Sequence, residues 1–482
     1  MKKTQKQKIT AQQRADKFKQ WLNDNDDFKT RDLVIGGTSA KLIFLEDIVD
    51  TNMLNRDVLT PINTLGGKFD NIQQIMNNFT VVSKLKIFEI DEEALEQIFR
   101  GNAALFVDGF SEVICFDVAK FESRTVIEPP TSSVVKGPRE GFTESIKTNM
   151  GLIRKRLLTT KLKVDILVVG RRTRTAVKIV YLSDVADKKI VSEVKKKIQK
   201  IDIDGIIDSF YIAQFLEKRP FSMFKQINST EKPDVACSKI LEGRIAIVVD
   251  GSPMVLTVPF LMLEDIQSSN DYYTEPYRAA FLRIMRLFGM AVAILLPGLY
   301  VAMELYHYKL LPLRFLTTIV NSAQNLPLSP LLEIFLILIL FEMLFEASIR
   351  MPKYLGIAIS IVGALILGDT AVKAGLVSPP AVMVVAVSGI ATYVVPDQSS
   401  QISILRLFFT FMGGIMGVQG LMLGAVTILA YLSNFDNYGA PYLAPYSPFV
   451  KNDMQDFVRK ANLQDMKKRP MSFGQTNKTR GR

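Results

Sequence analysis

The chain has 482 residues, more than one compact domain usually holds, and a formal net charge of +11. That charge raises the question of nucleic acid, but no basic stripe is interleaved with aromatics as single-strand binding requires, so nucleic acid is not expected as a partner. Two cysteines (Cys115, Cys237) and one histidine (His307) leave no disulfide framework, metal set or half of a catalytic triad, so neither a metal, a cofactor nor an enzyme activity is expected.

Taken in order, MKKTQKQKITAQQRADKFKQWL is charged throughout and lacks the apolar core of a signal peptide, which keeps the first half in the cytoplasm. A charged helix to about residue 31 should lead into acidic turn residues, Asn23 to Asp27. Lys41–Phe44 reads as the first strand. Helical patterns follow through Met53–Leu65 and Glu92–Phe99, and Ala103–Phe106 pairs with Val113–Asp117 around Asp108 and Gly109. These form a first α/β subdomain, residues 1–123. Beyond it Pro129, Pro130, Gly137 and Pro138 impose an irregular stretch. Thr143–Leu157 is an amphipathic helix, with Ile146, Met150, Ile153 and Leu157 at helical spacing. Strands at Val164–Val169 and Ala176–Leu182, a lysine-faced helix at Asp187–Gln199 and two strands around Asp250 to Pro253 complete a second subdomain, 124–277. Both are expected to be α/β with mixed sheets.

Charge then thins out, and an all-α polytopic membrane domain is expected over 278–433. Arg278, Arg283 and Arg286 precede a first span at 285–304 and place its start on the cytoplasmic side. The proline-broken segment 312–330 reads as re-entrant or interfacial. Spans at 331–349, 354–373, 379–396 and 404–432 follow, then a basic cytoplasmic tail, 434–482. Two cytoplasmic ends require an even number of crossings, yet five are plain.

Within 354–372, Ala358, Ile361, Leu365, Gly368 and Val372 fall on one stripe, with Gly356, Ser360, Gly363 and Ala364 beside it. That stripe either lines a pore that gates by dewetting or packs against lipid and other helices. Asp369 and Lys373, acid first at i,i+4, form either an interfacial ion pair or part of a carboxylate ring at a pore mouth. Glu342, Glu346 and Arg350 repeat at i,i+4 as a membrane-embedded charge network, with a Glu346–Arg350 pair or a relay as its use. Gly413, Gly417, Gly420 and Gly424 make a small-residue stripe for close helix packing.

Six ordered stretches carry a family resemblance: RTVIEPPTSSVVKGPREGFTESIKTNMGLIRKR, PFSMFKQINSTEKPD, EGRIAIVVDGSPMVLTVP, ASIRMPKYLG, GALILGDTAVKAGLVSP and YGAPYLAPYSPF. Together they resemble the A subunit of the GerA-type spore germinant receptors of endospore-forming bacteria. The resemblance implies a multi-pass protein of the spore inner membrane that works with a permease-like, nutrient-binding B subunit and a lipoprotein C subunit, amid membrane lipid. It also implies a homo-oligomer, a pentameric ring around a ligand-gated cation pore lined by the 354–372 helix. Leu365 falls on the family's pore-constricting position. Lys232 stands where Arg is frequent, and Asp369 where some members have Gln, which adds one carboxylate per subunit near the pore. The competing functions are a secondary transporter and a non-conducting scaffold; no internal repeat supports the former.

Overall fold

The computed structural model describes residues 10–21, 25–64, 67, 69, 71–77, 85–119, 136–324, 326–352, 363, 365–457, 460–462, 464–472 and 474–480. Helix α1 (Ala11–Trp21) keeps one apolar side, and Ala11, Ala15 and Phe18 are buried against the first sheet. Strand β1 (Phe28–Ile35) pairs along its full length with β2 (Thr38–Leu45). The sequence places helix and turn where β1 begins. An edge strand needs only ladder pairing, and in FKTRDLVI just Phe28 and Ile35 are buried, so no alternation betrays it. A helical run over Thr51–Met53, Leu54–Leu59 and Thr60–Thr64 precedes β3 (Leu85–Phe88), α2 (Asp91–Phe99), β4 (Ala103–Val107) and β5 (Val113–Phe116). The sheet order is β1-β2-β4-β5-β3.

The second subdomain repeats the scheme. Helix α3 (Ile146–Arg156) starts where the Ser145 hydroxyl accepts the Thr148 N–H. Next come β6 (Leu162–Val169), β7 (Thr175–Leu182) and α4 (Lys188–Gln199), capped by Asp187. Helix α4 buries Ile190, Val191, Val194 and Ile198, which turns most of its lysines outward. Helix α5 (Ser209–Leu216), β8 (Asn228–Thr230), α6 (Pro233–Leu241), β9 (Ile245–Val249) and β10 (Val255–Val258) complete it, in the sheet order β6-β7-β9-β10-β8. Both subdomains are α/β, as expected. In strand direction, however, every pairing is antiparallel rather than mixed, because hairpins and helical excursions return each strand beside an opposed neighbour.

The acidic residues read as a turn do more than turn the chain. Asn25 donates to the Leu162 carbonyl at 2.7 Å, the Asp26 carboxylate takes the Ile166 N–H at 2.8 Å, and Asp27 pairs with Arg154. Asp47 pairs with Lys178 at 2.6 Å, so the first subdomain is fastened to β6, β7 and α3 of the second through a buried ionic seam. Burial pushes the Asp27 carboxyl up, against the opposing pull of Arg154. Burial also pushes the two free thiols, Cys115 and Cys237, up to about 12.

From Pro276 to Ser433 the described residues are mainly helical: α7 (Pro276–Leu305), α8 (Leu313–Ala323), α9 (Pro330–Arg350), a short helical piece over Ile366–Thr370 and Ala371–Lys373, α10 (Pro379–Thr392) and α11 (Ser399–Ser433). Among the described residues two segments, Pro276–Leu305 and Pro396–Ser433, are long and apolar enough to cross a membrane. Helix α9 carries three glutamates, and the 14 residues of α10 reach about 21 Å. The helices run alternately away from and back toward the soluble half. At the far end Glu333 of α9 meets Ser378, and the Tyr306 hydroxyl donates to the Gly414 carbonyl at 3.0 Å. At the near end Phe345 packs on Tyr393, and Gln398 donates to Asp265 at 3.3 Å. Helix α8 lies between the far ends of α7 and α9, and its 11 residues are too few to cross.

Helix α11 is not one rod. Its 35 residues would reach about 52 Å if straight. A side chain at Gly420 would instead collide with the Met412 carbonyl, and one at Gly424 would touch Phe408 and Phe409. Both pairs are centred on position 416, so the chain reverses there and its two arms pack antiparallel. Gly417 makes the reversal at φ 60°, ψ −147°, a region essentially open to glycine alone. The segment read as one span at 404–432 is therefore a helical hairpin.

The tail does not trail free. Tyr438 lies in the core beneath α4 and β9, Gln475 donates to the Glu242 carbonyl at 2.8 Å, and Thr476 donates to that of Val185 at 3.1 Å.

Candidate functional site

Of the expected pore stripe, Ala358 and Ile361 lie outside the described residues, as do Gly356, Ser360 and Ala364. Leu365 is 64% exposed, and Gly368 has open space where a side chain would stand. Asp369 and Lys373 form an ion pair of 2.7 Å, both ends in the open. Val372 instead turns inward beside Ile334, Ile337, Leu338 and Val385. The stripe is thus split. Ile366–Thr370 is a π turn, closed by the Ala371 N–H on the Ile366 carbonyl, and its extra residue rotates the next turn of helix out of register.

The expected charge network is divided as well. Glu346 and Arg350 pair at 2.5 Å on the outer surface. Glu342 does not join them: its carboxylate accepts from Arg406 at 3.2 Å and from the Ser403 hydroxyl at 3.1 Å. Arg406 is buried and also reaches the Ser388 hydroxyl at 3.4 Å, which donates to the Ala293 carbonyl at 2.8 Å. One guanidinium therefore joins α7, α9, α10 and α11. Its Nε has no partner among the described residues, so it is a centre of high energetic stakes. The sequence reading missed Arg406, although a lone cation inside ISILRLFFTF was the available signal. At the far end a second buried acid, Glu333, accepts the backbone N–H of Ser378 at the start of α10.

The four glycines of the expected stripe, Gly413, Gly417, Gly420 and Gly424, are all buried, as is Gly414 beside them. A side chain at Gly413 would strike the Gly298 carbonyl, so this pair lets α7 and the first arm cross backbone to backbone. Gly420 and Gly424 serve the contact between arms, and Gly417 the reversal.

A fourth arrangement joins the two halves. Asp271 and Arg283 are both fully buried and 3.1 Å apart. Arg286 grips the same carboxylate at 2.7 Å and 2.9 Å, while Arg283 reaches Asp456 of the tail at 3.0 Å. Lys460 donates to the Asp271 carbonyl at 2.9 Å, and the Tyr272 hydroxyl donates to Asp456 at 2.7 Å. Burial alone would raise the Asp271 carboxyl, but hydrogen bonds from Arg286, the Ser268 N–H and Arg283 hold it below the usual range. Arg283 and Arg286, read from sequence as marking the cytoplasmic start of the first span, are clasps between the soluble half, the first turns of α7 and the tail.

Comparison with known proteins extends along nearly the whole chain. The family model for the Bacillus/Clostridium GerA spore germination protein matches residues 16–472. The chain is 34% identical over 448 residues to the uncharacterized membrane protein YfkQ of Bacillus subtilis (strain 168), covering 92% of this chain and 87% of that one. It is 33% identical over 470 residues to spore germination protein KA of the same organism, covering 96% and 86%. Among solved structures, the crystal structure of the N-terminal domain of the A subunit of the Bacillus megaterium spore germinant receptor GerK3 is 27% identical. It covers 52% of this chain and 94% of that one, with a TM-score of 0.41. The family match over residues 16–472 and these relatives carry one conclusion: this chain belongs to the GerA family of spore germination proteins.

Proposed function

We propose that the protein is the A subunit of a nutrient receptor in the spore inner membrane, and that its copies form a ring around a gated cation pathway. A permease-like B subunit would bind the nutrient, and a lipoprotein C subunit would complete the complex. In this reading α7, α9, the segment ending at Lys373, α10 and the two arms of α11 make six crossings. That even number returns the tail to the side of the soluble half and supplies the crossing the sequence left unaccounted for.

One observation carries the reading. Glu342, Glu346 and Arg350 of α9, and Asp369 and Lys373 of the segment beside it, have side-chain exposures from 44% to 77%. Gly363 touches Leu344, so the helix bearing Leu365 and Asp369 borders α9. Ionised groups rarely face acyl chains. Exposure of this kind supports burial against further copies or against water, with Leu365, 64% exposed and one turn before Asp369, as the apolar constriction. Spores carrying Leu365→Ala are expected to leak ions and germinate without nutrient; dormancy with a full nutrient response would overturn the assignment. Cysteine accessibility from Leu365 to Lys373 in the assembled complex, with and without germinant, tests the lining directly.

A further inference from the structure

The turn after α5, residues 217–224, carries an unusual display. Phe221 is completely exposed at 104%, and Met223 is 45% exposed beside it. The next residue, Phe224, points the other way and is buried with Phe260, Leu432 and Phe435. The turn is held rigidly to the end of the second arm of α11. The Arg219 guanidinium donates to the Asn434 carbonyl at 2.9 Å and lies over the rings of Tyr431 and Phe435. The Tyr431 hydroxyl donates to that of Ser222 at 3.0 Å, and Lys218 pairs with Asp436 at 3.1 Å. Polar and cation–ring links thus fix a two-residue apolar tip beside the last turn of α11, where the helix meets the soluble half.

We propose that this turn is a bilayer wedge, in which Phe221 and Met223 enter the boundary between headgroups and acyl chains next to α11. The proposal rests on the reading that the arms of α11 cross the membrane. If they do, Tyr431 sits at the level where tyrosine concentrates, and the tip bonded to it lies at the same depth. Two apolar side chains on a turn at that depth suit shallow insertion. The wedge would tie the second subdomain to the bilayer at a point separate from the Asp271 clasp. A displacement of that subdomain would then be felt at the lipid surface as well as at α7.

The test uses the full chain in lipid nanodiscs. Trp21 is the sole tryptophan, so Trp21→Phe gives a silent background. In that background Phe221→Trp is expected to emit to the blue and to lose most of its emission to lipids brominated near the headgroup end of the acyl chain. Phe411→Trp, in the first arm, is expected to be quenched by lipids brominated deep in the chain. Quenching of 411 without quenching of 221 overturns the wedge and leaves the crossing intact. Quenching of neither overturns the crossing itself. A blue-shifted 221 that no lipid quenches means that a second copy or another protein covers the tip, which also overturns the wedge.

Discussion

Two buried arginines separate the halves of this molecule. In the soluble half, Arg154 and Asp27 are each 1% exposed, and the pair is closed within the chain. In the helical half, Arg406 is 5% exposed while its partner Glu342 is 44% exposed. Burying a charge is tolerable only when its partner is supplied. The soluble half supplies both partners itself. The helical half leaves the acidic side of its central pair open. The contrast marks the first pair as complete within the chain and the second as open to a neighbour.

The sharpest way to break that contrast is to unpair the closed seam. Arg154→Met should cost about 3–5 kcal/mol by leaving Asp27 buried alone, and adding Asp27→Leu should recover most of it. Hydrogen exchange along β6, against denaturant, reads both effects. Next in size is Gly417→Ala, which forces a side chain into a backbone region costing about 1–3 kcal/mol. Loss of crosslinking between cysteines placed at 412 and 420 would report that the arms have parted.

Acid should act oppositely at two buried carboxylates. Asp271 is held low in the folded chain, so its stabilisation is complete above the ordinary value of 3.8 and is lost as pH falls through its folded value. Asp27 is raised, so its contribution is present below 3.8 and is lost as pH rises through its folded value. Hydrogen exchange resolved by pH should therefore show residues 266–274 loosening on acidification while the backbone around Asp27 holds. The smallest effect is expected for exchanging Glu346 and Arg350. An exposed helical pair contributes about 0.5 kcal/mol at most, so the swapped chain alone should melt almost unchanged. A large loss confined to the assembled complex would show that a neighbouring copy covers the pair.

Regular elements were legible wherever one period dominated. Helices Ile146–Arg156 and Lys188–Gln199 and the hairpin of Ala103–Val107 with Val113–Phe116 fall within a few residues of their sequence signals. Strand β1 escaped because edge pairing asks nothing of its side chains. The glycine spacing in α11 was plain, but periodicity does not report chain reversal, and an apolar run looks alike whether it goes straight or doubles back. The i,i+4 rule found Glu346–Arg350 and Asp369–Lys373, which are local in sequence. It could not find Glu342–Arg406 or Asp271–Arg283, because only the fold brings those together.

Tyr438 has a consequence for biosynthesis. Its ring fills the core of the second subdomain, and its hydroxyl donates to the Leu216 carbonyl, yet it is made only after the last helix. On the ribosome, that layer stays unsealed until every apolar helix has emerged. A nascent chain stalled before Asn434 would show surveillance machinery an unfinished core, so completion of the soluble half certifies that the helical half has been made.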